Sequence, residues 1–145
     1  MNSVIKKIKS LFNRKNSTSK DFVSRIYWDQ RYRKRQNSGS GSYGRLALFK
    51  ANFINDFVRK HNISTVIDMG CGDGNQLTLA QYPKYIGFDV SKKAISICRQ
   101  KFKGDKTKTF INASKLVGDN KYNGDLVLSL DVIYHLIEDD VFMNY

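Results

Sequence analysis

The sequence predicts an α/β fold: a parallel sheet flanked by helices, preceded by a helical N-terminal segment. Three observations carry this reading. From Thr65 onward, short apolar runs alternate with helical patterns, the rhythm of parallel strands joined by right-handed crossovers. The first run, Val66-Ile67-Asp68-Met69, ends in an acid and a methionine and enters a turn with Gly70, Gly72 and Gly74 at alternate positions. A glycine turn at the carboxyl end of a first parallel strand is where open α/β sheets bind nucleotide-like ligands. The second run also ends in an acid, Asp89, 21 residues past Asp68.

Taken in order, the elements fall into two parts. Residues 1–62 read as a basic helical segment. Val4, Ile5, Ile8, Leu11 and Phe12 share one helical face, with Lys6, Lys7 and Lys9 elsewhere. Asn16 to Ser19 is a polar linker. Phe22, Ile26, Trp28 and Tyr32 predict a second helix from Lys20 to about Arg35, with cations crowding its end as the helix dipole favours. Gln36 to Gly44 is a flexible Gly/Ser loop. Leu46, Phe49, Phe53, Ile54, Phe57 and Val58 then recur at helical spacing up to His61-Asn62.

Residues 63–145 carry the alternating pattern. Strands are expected at Thr65–Met69, Tyr85–Phe88, Thr109–Ile111 and Leu126–Leu130, the last ending at Asp131. Helices are expected at Asn75–Gln81, stopped before Pro83, after the cap Ser91 with Ala94, Ile95 and Cys98 inward, and from Glu138 to Tyr145. A loop holds Gly118, Asp119 and Asn120. A sheet of four strands closing on a barely started helix reads as truncated, so this part is expected to be an incomplete domain.

Composition bounds the function. With 145 residues and 41% hydrophobic content, one globular domain is expected. An apolar run of about 18 residues is absent, so stable membrane insertion is not expected. No secretory signal is read, and two cysteines make no disulfide framework; a reducing cytoplasmic setting is expected. Residues 1–60 carry fifteen Lys/Arg against three Asp, so the whole net charge of +12 sits there. A basic segment attracts phosphate or anionic surfaces, and nucleic acid is one partner it could take through residues 1–60.

The chemistry-bearing residues narrow this further. Asp89 lies where an acid binds a ribose diol, its two oxygens accepting both hydroxyls. The nicotinamide fingerprint needs a glycine at its sixth position, and counting from Gly70 that position is Asn75. The form present is Asp-x-Gly-x-Gly-x-Gly. With Ile86-Gly87-Phe88-Asp89-Val90-Ser91, Thr109-Phe110-Ile111-Asn112-Ala113 and the run from Asp125 to Leu136, it resembles the class I S-adenosylmethionine-dependent methyltransferases. The resemblance implies a Rossmann-like domain with S-adenosylmethionine as cofactor. It implies that Asp68 and the backbone of Gly70 and Gly72 face the methionine part, their open amides near its carboxylate. Asp89 takes the ribose, Val90 packs on the adenine, Asn112 stands in for an aspartate at the adenine amino group, and Leu130 lies beside the cofactor.

Two further groups of residues are candidates. His135 follows strand four, where the acceptor arrives, and can take a proton from a hydroxyl near neutral pH. Asp131 and Tyr134 are candidate acceptor contacts, and Asp131 joins His135 as a candidate catalytic residue. The run Asp131-Val132-Ile133-Tyr134-His135 also resembles small-RNA 2′-O-methyltransferases. There a metal is held by carboxylates and histidines, but Tyr134 replaces one carboxylate here and a second histidine is missing, so no metal is expected. In the N-terminal segment, Trp28 or Tyr43 is expected to close the site as part of a lid, with Tyr43 a cofactor contact. Cys71 and Cys98 read as small core-filling residues.

The sequence reading is therefore a methyltransferase acting on a small molecule or a glycan. The alternatives are an RNA methyltransferase using the basic segment, and a non-catalytic cofactor-binding fragment.

Overall fold

The computed structural model describes residues 23–115 and 122–143. The expectations for residues 3–12, the linker at 16–19, Phe22, the loop at 118–120 and the last two residues of the final helix lie outside the described residues.

Four strands form one parallel sheet: β1 (Thr65–Met69), β2 (Lys84–Asp89), β3 (Lys108–Asn112) and β4 (Leu126–Leu128). Their spatial order is β3-β2-β1-β4. The register sets Asp68 beside Gly87 on one side and Leu128 on the other, and Asp89 beside Asn112. The chain runs outward from β1 to β3 and then returns to the far side of β1. That reversal is the switch point at which an open parallel sheet leaves a crevice beyond its strand ends.

The helices are α1 (Ser24–Arg33), α2 (Gly44–Lys60), α3 (Lys92–Lys101) and the short α4 (Asp139–Met143). Ile54 and Val58 of α2 and Ile95 and Cys98 of α3 join Val66, Tyr85, Phe110 and Leu128 in one core. α2 and α3 therefore pack on the same face of the sheet. The opposite face presents Ile67, Ile86 and Phe88, covered in part by Tyr122 and Ala113. Asn55 ties α2 to the β1–β2 connection: its amide donates to the Leu79 carbonyl and its oxygen accepts from Gln81 N, at 2.9 and 2.8 Å.

Three sequence expectations are corrected. The helix expected at Asn75–Gln81 is a single 3-10 turn, Gln76–Leu79. The α2 face that meets the sheet is Ala47, Ala51, Ile54, Asn55 and Val58, while Leu46, Phe49 and Phe53 are exposed, the last two at 70% and 68%. Small residues let the helix approach the sheet closely, and the larger apolar side chains sit on its other sides. Ile26 of α1 is 44% exposed rather than inward, because α1 turns Ser24 and Tyr32 inward instead. Ser91 caps α3 as expected, its hydroxyl accepting from Ala94 N at 3.1 Å.

Candidate cofactor cleft

A cleft opens beyond the carboxyl ends of β1, β2 and β4. Its floor is Met69, Gly70, Gly72, Phe88, Asp89 and Val90. Leu130, Asp131, Val132 and His135, from the segment after β4, form one wall with Ala113 from the end of β3. The roof is α1, which presents Ser24, Trp28 and Tyr32, four residues apart and so on one helical face.

The glycine loop is built for close packing. Gly70 has φ +97° and Gly72 φ +56°, in the left-handed region where a side chain is disfavoured. A Cβ on Gly70 would lie 2.3 Å from a Val132 methyl, and one on Gly72 would lie 2.3 Å from the Ser38 hydroxyl. The loop's donors turn inward. Gly70 N and Cys71 N both donate to the Phe88 carbonyl at 2.8 Å. Gly72 N donates to Asp89 Oδ2 at 2.9 Å. This differs from the open amides expected from the sequence, because these amides satisfy the end of β2. The loop therefore meets a ligand with bare Cα surface.

Asp89 is buried at the cleft floor. Oδ1 accepts from Ser91 N at 2.8 Å and Oδ2 from Gly72 N. Burial pushes its carboxyl up to about 6, against the pull of those two amides. Each oxygen keeps a lone pair for a further donor. Asn112, beside it in the register, does not line the cleft: its amide donates to the carbonyls of Asp89 and Val90, both at 3.0 Å, and its oxygen accepts from the Ser114 hydroxyl. It braces the backbone that carries the acid, a task an aspartate could not perform, since an ionised carboxylate donates nothing. Asp68 lies behind the floor. Tyr85 donates to its Oδ2 at 2.7 Å, and Oδ1 has no partner among the described residues. Burial pushes Asp68 up to about 6, with Tyr85 and the Lys50 charge opposing.

The segment over the cleft is anchored at several points. Asp73 accepts from Ser38 N at 3.0 Å and from the Tyr43 hydroxyl at 2.8 Å, and its own amide donates to Ser38 Oγ. Asn75 donates to the Ser42 carbonyl at 2.7 Å. The residue that breaks the nicotinamide fingerprint thus ties the glycine loop to the segment that precedes α2. Asp29 of α1 accepts from Ser91 Oγ and Lys93 N, both at 2.9 Å, at the start of α3. Glu138 accepts from Ser24 N at 2.6 Å and from the Ser24 hydroxyl, capping α1 from far along the chain.

Of the two residues expected to close the site, Trp28 lines the cleft and Tyr43 stands behind it, fastening the loop. Asp131 and His135 are brought together on the wall. Asp131, at φ +58°, pairs with Lys50. Burial opposes its ionisation, but the hydrogen bonds from Lys50 and Tyr134 outweigh it and hold the carboxyl below its usual range. Ser24, Ser38, Asp73 and Glu138 are site residues that the sequence reading did not single out. The four-residue spacing of Ser24, Trp28 and Tyr32 is the signal that marks three cleft residues.

Comparison with known proteins agrees with this geometry. Residues 67–144 match the family model described as a methyltransferase domain. No curated protein matches the chain. Among solved structures, the methyltransferase domain of bacterial CtHen1-C is similar at 23% identity, TM-score 0.57, over 66% of this chain and 55% of that one. Magnesium protoporphyrin IX methyltransferase of Synechocystis PCC 6803, solved with bound SAM, is 20% identical, TM-score 0.55, over 81% and 66%. The SAH-bound methyltransferase PaMTH1 of Podospora anserina is 14% identical, TM-score 0.53, over 89% and 58%. The chain spans just over half the length of the first of these.

Proposed function

We propose, since this chain belongs to the methyltransferase domain family, that it transfers the methyl group of S-adenosylmethionine to a small-molecule or glycan acceptor. The observation that carries the reading is the cleft floor, where a glycine loop too tight for any side chain adjoins a buried carboxylate at the end of β2.

The residues present fit an adenosyl cofactor with an amino-acid tail. Asp89 has lone pairs for two ribose hydroxyls. Val90, Ala113 and Leu130 supply apolar surface for a base. Gly70 and Gly72 let Val132 and Ser38 close in on the loop and line the cleft where the tail would lie, and Asp68 behind them adds negative charge that suits its ammonium. When bound, the cofactor supplies an electrophilic methyl on a sulfonium sulfur and is left as a neutral thioether.

The chain's own residues orient the partners and exclude water, which accounts for much of the rate in a displacement. Asn112 holds the backbone of Asp89 and Val90. Trp28 and Tyr32 cover the cleft, and Asp73, through Ser38 and Tyr43, keeps the lid loop against the glycine turn. His135 takes the proton of a hydroxyl acceptor.

A second reading, an RNA acceptor, is favoured by the concentration of positive charge in residues 1–60, with Arg25, Lys34 and Arg35 exposed along α1 and just after it. One assay separates the readings. Cofactor labelled in its methyl group is incubated with the protein and a cell extract, and the small-molecule, glycan and RNA fractions are counted. Label in the small-molecule or glycan fraction is the expected result. Label in RNA alone moves the assignment to the second reading, and label in no fraction overturns methyl transfer by this chain.

A further inference from the structure

The cleft has a neighbour. A second recess adjoins it and shares Trp28, Ser38, Asp131 and His135 with it. Anything seated in the recess therefore touches the wall of the cofactor cleft. Its chemistry is specific. Tyr27, Trp28, Tyr134 and His135 give it aromatic surface, the backbone of residues 38–41 gives it a side with little side-chain bulk, and Arg31 and Asp131 give it two opposite charges.

We infer that this recess takes the methyl acceptor, and that the acceptor is a flat hydroxyaromatic acid. The inference rests on the cofactor assignment proposed above. Four aromatic rings beside glycine backbone favour a planar ring over a saturated one, because stacked and edge contacts need flat faces. Trp28 and His135 meet edge to face at 5.1 Å, and Tyr134 tilts against His135 at 4.5 Å, so these rings form one surface.

The charges set the ends. Arg31 lies with its guanidinium carbon 5.7 Å from the centre of the Trp28 ring, and its Nε donates to the Asn37 carbonyl at 2.8 Å. That contact fixes the guanidinium and leaves its terminal nitrogens to meet a carboxylate in the fork geometry such groups favour. Arg31 draws the acid end to its side of the recess, which leaves the hydroxyl end to the shared wall, where Asp131 is already paired with Lys50. Asp131 is already engaged by Lys50 and Tyr134, and Gly41 packs so close that a Cβ there would meet its carboxylate. It is a fixed charge.

His135 is different. Aromatic contacts hold its ring, and neither nitrogen has a hydrogen bond among the described residues. An acceptor that uses it carries a dissociable proton on its nucleophile. The hydroxyl proton would pass to a ring nitrogen of His135 as the oxygen's electron pair bonds the methyl carbon, and the carbon–sulfur bond would break with its electrons left on sulfur as the neutral thioether. Asp131 then faces a positively charged imidazole, an arrangement that favours the transfer.

The test uses 4-hydroxybenzoate as probe, titrated calorimetrically into protein saturated with S-adenosylhomocysteine, whose own binding is measured first. Comparison probes are its methyl ester, 4-hydroxycyclohexanecarboxylate (the same two groups on a puckered ring) and uridine 5′-monophosphate. The expected result is that 4-hydroxybenzoate binds, with the ester and the puckered ring at least fivefold weaker. Arg31→Gln is expected to weaken the acid about tenfold while leaving the ester unchanged, and Arg31→Lys to restore part of the loss. If S-adenosylhomocysteine binds but 4-hydroxybenzoate does not, or if Arg31→Gln weakens acid and ester alike, the acceptor inference is wrong and the cofactor reading stands. Preference for the nucleotide overturns the acceptor class in favour of a nucleic-acid substrate. If S-adenosylhomocysteine itself fails to bind, both fall.

Discussion

At the scale of single residues, the site depends on one glycine and two buried carboxyls. Gly72 sits at positive φ with the Ser38 hydroxyl where its Cβ would go. Gly72→Ala is expected to lower stability by about 1–3 kcal/mol, from strained backbone and collision together. It is also expected to loosen the lid, since Ser38 bonds Asp73 from both its backbone and its side chain. Denaturant unfolding and cofactor titration on the same variant check both effects.

The carboxyls of Asp68 and Asp89 are pushed up to about 6 by burial. The folded protein therefore holds protons that the unfolded chain has already shed. Their contribution lowers stability as pH rises from about 4 to 6, and the loss is complete above that window. Asp29 works the other way: its hydrogen bonds from Arg33, Lys93 and Ser91 outweigh burial and hold it down to about 2, a contribution lost as pH falls through that value. Asp68→Asn isolates one group. Between pH 4 and 7 the variant is expected to gain roughly 1–3 kcal/mol relative to the parent chain. Parallel pH profiles in denaturant unfolding would show that Asp68 is not the strained group. The position of both acids at strand ends was legible from the apolar runs before them. The lone oxygen of Asp68 was not, since it depends on Tyr85 arriving from the neighbouring strand.

At the scale of elements, α1 decides how the cleft is closed. It has no side-chain cap of its own, and Glu138 supplies one to Ser24 from beyond β4. Glu138→Ala is expected to leave the sheet folded and weaken cofactor binding about three- to tenfold, by freeing the roof. Trp28, the single tryptophan, lies in that roof, so its emission is expected to shift to the red in the variant. Unchanged emission and affinity would mean that α1 closes without this cap.

The helix α2 carries a different lesson. Its period was plain in the sequence, and Ile54 and Val58 are inward as expected, but Leu46, Phe49 and Phe53 are not; they were misread because phenylalanines are the usual core residues and alanines are not. Ala47 and Ala51 are buried with Ile54, Asn55 and Val58, and Phe49 and Phe53 are exposed. Ala51→Leu is expected to destabilise by about 1–3 kcal/mol through overpacking. Phe53→Ser is expected to change stability by less than about 0.5 kcal/mol. Equal losses would place the phenylalanine face in the core.

At the scale of the whole molecule, the sheet and its crevice follow from local pattern. All four strands and Asp89 were readable because each strand is a short apolar run, although Val127 of β4 is exposed, and a glycine turn announces itself. The contacts that hold α1 and the loop after it over the cleft were not readable, since Asp29, Asp73 and Glu138 act on partners far away in sequence. The excess positive charge was readable too, since it lies in residues 1–60 and the rest of the sequence is balanced.

The central claim is that the crevice is an S-adenosylmethionine site built around Asp89. Calorimetric titration of the parent chain and of Asp89→Ala, with S-adenosylmethionine and with a nicotinamide dinucleotide, tests it most directly. The account predicts one-to-one binding of S-adenosylmethionine, at least tenfold weaker in Asp89→Ala, and no comparable heat with the dinucleotide. Preference for the dinucleotide, or S-adenosylmethionine binding that is indifferent to Asp89, would contradict it.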